Sequence, residues 1–563
     1  MIRWLSEAFR ARWYVGVRAG LSVGLPLVAG VLAGHPDWGA VASLGGIAGV
    51  YGADSPRRHR MRLVAAVGVT LAVVVPVSSL CAAHPWLSVA FVGVVAALAG
   101  FGCLALRVPP PREYLIILPA LVATGVAAEP LREAALVAAG ALVGLLVAAV
   151  PVPREPPQNR AVRRAWLAVQ DVLRTAGTPG AAGTRRRAVA DVARARDLLR
   201  QARVPGTDDR LRELAAAEVV LASALSVSLD AREPLPPDAD VPGLRWAREA
   251  ADGILRGEQH DLPEPEHRGL GERLREALSP HAVVLPAAAR IGVAVAIGYA
   301  LGRLLGLAHA YWVGLTVAAV LQATNLTLLR RRSLHRVAGT AVGVGLAAAV
   351  FAPHPPALAV ALVALLAQLV AEVFMPVSYG FAVAFVTLVP LAIFDLAAPG
   401  AQIGAAVGAR ALDTALGAVL ALVLRLVLWP KATAARLPQV QARTLRAVAG
   451  LFGARWLGGD QVPARRRLQE AVLDLHNVTQ DAFGERWDQV GLAVDELAFL
   501  ALGVPFGRPH PPRPEAEALL SRLEQLADAL SRGTPPPDRH PPALPGYPRT
   551  SAATQLLAGA LAS

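Results

Sequence analysis

The sequence predicts an all-α polytopic membrane protein made of two parallel six-span repeats, about 12 transmembrane helices in all, each repeat followed by a helical cytoplasmic domain. Three observations predict it. The chain is 54% hydrophobic, more than a soluble chain of this length normally carries, and the apolar residues concentrate in residues 14–152 and 284–429. Arginines crowd every second loop between the apolar runs. A long stretch is also written twice. "HPDWGAVASLGGIAGVYGADSPRRHRMR" (35–62) lies over "HAYWVGLTVAAVLQATNLTLLRRRSLHR" (309–336) without a gap. His35 falls on His309, Trp38 on Trp312, Arg57 on Arg331, Arg58 on Arg332 and Arg62 on Arg336.

A helix needs about 20 apolar residues to cross a bilayer core. The first half reads as spans near 14–34, 39–54, 63–83, 87–106, 114–128 and 134–152. The second reads as 286–308, 312–328, 337–352, 357–374, 379–395 and 405–429. Segments 39–54 and 312–328 are short and correspond in the repeat. They are either broken helices lining a transport site or segments buried inside the bundle. The first segment has the basic lead of a signal peptide, but its apolar core is too long and its repeat partner is internal, so it reads as a retained helix.

Orientation follows from the arginines. Arg3, Arg10 and Arg12 precede the first span, Arg57 to Arg62 follow the second, Arg107 and Arg112 follow the fourth, and Arg154 to Arg164 follow the sixth. Such loops face the cytoplasm, which places the protein in a bacterial inner membrane with both termini inside. Six spans per unit is an even number, so the two units share one orientation.

The expected division is 1–152 as the first membrane unit, 153–283 as a helical cytoplasmic domain, 284–430 as the second membrane unit, and 431–533 as a second helical cytoplasmic domain. Segments such as "AVADVARARDLLRQAR" and "AEALLSRLEQLADALSR" carry apolar residues at helical spacing. The proline-rich tail, 534–563, reads as disordered.

The net charge of +13 comes almost wholly from arginine. Arginines beside spans satisfy the positive-inside rule, so the expected partner is the lipid bilayer and not nucleic acid. Lys431 is the only lysine, and it follows "LVLWP" instead of a glycine loop, so no Walker A site is present. No G-x-S-x-G or H-E-x-x-H occurs either. An enzyme is not expected, nor a cofactor. The 2 cysteines, Cys81 and Cys103, lie in apolar segments without ligand spacing, so neither a disulfide framework nor a metal site is expected.

In the second half, "HAYWVGLTVAAVLQ", "RRSLHRVAGTAVGVGLAA" and "RALDTALGAVLALVLRLVLWP" carry a Trp-led span, an R-x-x-G-T-x-x-G element and a closing R-x-x-D-T-x-x-G…WP element. These resemble the fusaric acid resistance (FUSC) family, which overlaps the aromatic acid exporters and is distantly similar to the plant aluminium-activated malate transporters. The matching residues are Trp312, Arg336, Gly339, Thr340, Gly343, Arg410, Asp413, Thr414, Gly417 and Pro430. The first half keeps Trp38, Arg62 and Arg132 but lacks the G-T and D-T pairs. The resemblance implies efflux of organic, often aromatic, acids and assembly as a homodimer, and the expected function is a secondary exporter coupled to protons. An organic-anion channel and a non-transporting scaffold that recruits partners are the alternatives.

Charges at membrane depth are costly and so are paired or functional. Arg18 and Arg290 lie about one turn inside the first span of each unit, where an arginine fork either binds a substrate carboxylate or snorkels to the inner surface. Arg410 and Asp413 share a helix face, as a gating ion pair or as a structural pair at the outer end of the last span. Gln322 and Asn325 are uncharged groups beside an arginine loop, placed to line an anion's exit. Arg331, Arg332 and Arg336 would hold the inner mouth and attract anions. His35 and His309 are the proton-coupling candidates among the outer-loop histidines. Trp38 and Trp312 are expected at the outer interface.

Overall fold

A computed structural model describes all residues except 1, 126–128, 152–154, 203–206, 259–269, 279–283, 323–325, 398–402, 428–436, 484–488, 504–509, 535–543, 545 and 563. The described residues form helices and no strands. In chain order these are α1 (Ile2–Leu32), α2 (Pro36–Gly46), α3 (Arg57–Cys81), α4 (Pro85–Ala105), α5 (Tyr114–Ala123), α6 (Pro130–Ala149), α7 (Pro157–Arg174), α8 (Ala181–Ala202), α9 (Thr207–Asp230), α10 (Pro242–Leu255) and α11 (Leu270–Ala277). There follow α12 (Val284–Leu304), α13 (Tyr311–Leu321), α14 (Leu326–Phe351), α15 (Ala357–Phe374), α16 (Tyr379–Ala397), α17 (Ile403–Val427), α18 (Leu437–Trp456), α19 (Gln461–Phe483), α20 (Gln489–Gly503), α21 (Arg513–Arg532) and α22 (Pro548–Ala562). They gather into two compact units: Met1–Arg154 with Arg268–Leu428, and Glu155–His267 with Trp429–Ser563.

Among the described residues, eight helices, all in the first unit, are long and apolar enough to cross a membrane. Prolines open α2, α4 and α6, where the ring's fixed φ suits the first turn and its missing N–H is not needed. Helices α2 and α13 have 11 residues each, about 16 Å of rise, too short to cross alone. Every residue from Trp312 to Leu321 is buried, so α13 is an interior helix apolar on all sides.

The pairing of helices in this unit is doubled. Helix α1 packs along α15, and α12 along α4. Likewise α2 packs on α6 and α13 on α17, while α3 meets α6 and α14 meets α17. Small residues make these contacts close, as is usual where no hydrophobic drive separates helix from lipid. A Cβ on Gly16, Gly20 or Gly24 of α1 would strike Leu365 or Leu369 of α15. Gly93 of α4 and Gly292 of α12 face each other's carbonyls in the same way. Gly45 and Gly140 bring α2 and α6 together, each Cβ position being blocked by a backbone carbonyl of the other helix.

The second unit has one hydrophobic core, shared by residues from both of its chain segments. Leu173, Leu199, Leu225 and Leu244 are buried with Leu445, Phe452, Leu475, Phe499, Leu523 and Leu557. The two helical segments read separately in the sequence thus complete one another, since neither segment's amphipathic faces are closed by its own helices alone. The tail departs from the expected disorder. Although 535–543 lie outside the described residues, α22 follows them, and its Leu557 and Ala558 are fully buried. "SAATQLLAGALA" supplies the apolar face that proline content concealed.

Candidate functional site

The site is built on α17. Arg410 lies seven residues into this helix, about 10 Å from its start, and Asp413 one turn further. Both are 1% exposed. Gly417 lets α17 approach α13, because a Cβ there would press on the Val313 carbonyl and the Thr316 side chain. That approach lays the Arg410 guanidinium over the Trp312 ring, 4.6 Å from its centroid. The His309 ring stacks on Trp312 at 4.7 Å and 15°. Trp312, also 1% exposed, is therefore a buried cation–π and stacking platform. Its expected place at the outer interface is corrected: only Trp38, 39% exposed and stacked on His35, retains an open ring.

Arg410 uses little of its hydrogen-bonding capacity. Its Nε and Nη1 have no partner, nor has either Asp413 carboxylate oxygen. Three residues of spacing place the two groups on one face, yet no ion pair joins them among the described residues. The hydroxyls of Thr316, Thr340 and Thr414 are likewise buried and unpartnered.

A second buried arginine stands near. Arg336 of α14 is 3% exposed and within electrostatic range of Arg410. Its Nη2 donates to the Tyr114 hydroxyl at 3.2 Å, while its Nε is unpartnered. Tyr379 approaches the same guanidinium, and Arg332 covers the Tyr379 ring at 5.3 Å. Tyr114 and Tyr379 are the first residues of α5 and α16. The R-x-x-G-T-x-x-G element explains the placement: Gly339 and Gly343 admit the α16 backbone at Gly380 and Ala384, which a Cβ at either position would exclude.

The remaining sequence candidates scatter. Arg18 does not reach this cluster. Its Nη2 donates to the Val150 carbonyl at 2.7 Å, and Arg60 Nε donates to Ala148 at 3.1 Å, so the two arginines hold the carbonyl end of α6. Arg290 is half-buried. Gln322 donates from Nε2 to the Pro111 carbonyl at 2.8 Å, Arg112 Nη2 donates to the Gln322 carbonyl at 3.4 Å, and the Tyr51 hydroxyl donates to the Arg112 carbonyl. The loop between α4 and α5 is thereby fastened beyond the ends of α2 and α13. Asn325 lies outside the described residues. Arg331 and His35 are exposed, and His309 is half-buried with an unpartnered Nδ1.

Sequence reasoning missed Tyr114, Tyr379 and Thr316. Tyr114 and Tyr379 stand at the starts of the fifth expected span of each half, so the sequence repeat itself was a usable signal. Glu113 and Glu133 were also missed as buried carboxylates, at 1% and 3% exposure. Among the described residues no group of three or more His, Cys, Asp or Glu could hold a metal ion.

The comparisons with known proteins bear on the same segment. Residues 295–424 match the family described as fusaric acid resistance protein-like. The chain is 24% identical to the uncharacterized membrane protein YvaC of Bacillus subtilis, over 97% of this chain and 95% of that one. It is 28% identical to the inner membrane protein YccS of Escherichia coli, over 26% of this chain and 21% of that one. No solved structure matches.

Proposed function

We propose, for a membrane chain whose residues 295–424 belong to the fusaric acid resistance protein-like family, a secondary exporter of organic acids with its anion site at Arg410 and Arg336. One observation carries the reading. Two arginines are buried together, both retain unpartnered guanidinium nitrogens, and neither pairs with a carboxylate among the described residues. A buried, uncompensated guanidinium is costly, and a planar carboxylate is the group that fills its fork. Tyr114, Thr316, Thr340 and Thr414 supply neutral hydroxyls around it.

The doubled helix pairing supports two six-helix halves. The first helix of each half lies on the fourth of the other, and the short second helix on the sixth of its own. Twelve helices in parallel halves, with arginine loops on the cytoplasmic side, accommodate that pattern. The halves are not equivalent. Arg62 and Arg132 occupy the positions of Arg336 and Arg410 yet are exposed, so the anion site belongs to the second half.

The test compares loss of preloaded benzoate, salicylate, succinate and malate from cells with and without the protein. Faster loss of at least one acid, returned to the empty-cell rate by Arg410→Gln at equal surface expression, is expected. Equal loss for every acid would count against the reading.

A further inference from the structure

The orphaned carboxylate beside the anion site has a role of its own. Asp413 is 1% exposed and neither oxygen has a hydrogen-bond partner. It sits one helical turn from Arg410, whose Nε and Nη1 are also open. The charged or titratable groups around Arg410 and Asp413 are Tyr114 from α5, His309 just before α13 and Tyr311 at its start, and Arg336 from α14, with Tyr299 of α12 beside Tyr311. Arg410 and Tyr311 are within electrostatic range of the carboxylate. Neither the Asp413 oxygens nor the open Arg410 nitrogens are satisfied by any of these groups.

A buried ionised carboxylate without a hydrogen bond is strongly disfavoured. Two events relieve it: the side chain turns onto Arg410, or it takes a proton. The first fills the fork that a substrate carboxylate needs. The second removes the internal competitor and raises the formal charge of Arg336, Arg410 and Asp413 from one positive to two. Anion binding and proton binding therefore favour each other.

Resting on the anion-site reading above, we infer that Asp413 is the proton site of this transporter, and that an acid binds with uptake of a proton at an Asp413 carboxylate oxygen. The proton comes from the aqueous side from which the anion enters, and it leaves with the anion. One monovalent anion and one proton then cross together, so the species moved carries no net charge, and net export runs down the outward gradient of the acid, against any inward proton gradient. His309, stacked on Trp312, is not required.

The experiment uses the full chain purified in lipid nanodiscs. Benzoate and succinate are titrated in weakly buffered solution with a pH-indicator dye, and their Kd is measured between about pH 5.5 and 8.5. Wild type is expected to take up protons as an acid binds, with Kd rising up to tenfold per pH unit across the alkaline part of the range. Asp413→Asn is expected to abolish the uptake and flatten the pH dependence, while Asp413→Glu restores both with a shifted midpoint. Unchanged proton uptake and pH slope in Asp413→Asn overturn the inference while leaving Arg410 and Arg336 as the anion site. If the Asn variant does not fold, an unmoved midpoint in Asp413→Glu overturns it instead. If Arg410→Gln binds acids as wild type does, the anion-site reading falls and the Asp413 inference with it.

Discussion

Arg410 gains from Trp312 what it cannot gain from water. A guanidinium over an indole face is stabilised by roughly 2 kcal/mol or more when desolvated, and the stack of His309 on the same ring fixes where that face points. Such a platform holds the fork open without neutralising it. Arg410→Lys keeps the charge but loses the planar fork, so acid export should fall at least tenfold, since hydrogen bonds to charged groups contribute about 1.5–3 kcal/mol each. Arg336→Gln should do the same in the same efflux assay. Arg331, exposed in the second turn of α14, acts only through the long-range field. Arg331→Gln should lower export less than threefold, and the difference should vanish in high salt. Unequal salt responses of the Arg331 and Arg410 variants are the measurable signature.

At the scale of elements, the helices were legible and their surroundings less so. Apolar runs locate α1 to α6 and α12 to α17, although the arginines of 57–62 and 330–336, read as loops, are helical in α3 and α14, and the brevity of 39–54 and 312–328 already marks α2 and α13. What the sequence does not state is that α13 is buried on all sides. An apolar helix looks alike whether lipid or protein surrounds it, which is why Trp312 reads as an interfacial ring and is instead a core one. Tyr114 and Tyr379 escaped for a related reason, since a tyrosine at a helix start is also an ordinary interface residue. Glycine spacing was more informative, because a missing Cβ has few uses inside an apolar helix. Gly20→Leu should separate α1 from α15, and Gly417→Leu should separate α17 from α13. Each should lower the melting temperature of the detergent-solubilised protein. Only Gly417→Leu should also remove acid binding in whatever fraction remains folded.

On the scale of the whole molecule, the second unit has its own electrostatics. Asp495 is buried against Arg186, with Nη2–Oδ2 at 2.9 Å. Burial pushes the Asp495 carboxyl above the usual range, against the opposing pull of Arg186 and Arg185. A carboxyl raised on folding binds its proton more tightly in the folded chain, so its contribution is most favourable at acid pH and declines as pH climbs from the ordinary carboxylate range through the raised value. Arg186→Ala leaves that charge uncompensated and should cost about 3–5 kcal/mol, seen as a melting temperature that drops further at pH 8 than at pH 5. Arg245→Ala, which removes an exposed pair with Asp240, should change stability by about 1 kcal/mol or less. The shared core of this unit was hidden in the sequence because two segments far apart in the chain, each amphipathic, give no sign of which faces meet.

The central claim is that an organic acid is held by the buried arginines of the second half. The most direct measurement is efflux of preloaded radiolabelled benzoate and succinate from cells expressing wild type or Arg410→Gln at equal surface levels. The account predicts that at least one acid leaves wild-type cells faster than empty cells and that Arg410→Gln loses at least nine-tenths of that difference. Efflux through Arg410→Gln equal to wild type, for every acid that wild type exports, would contradict it.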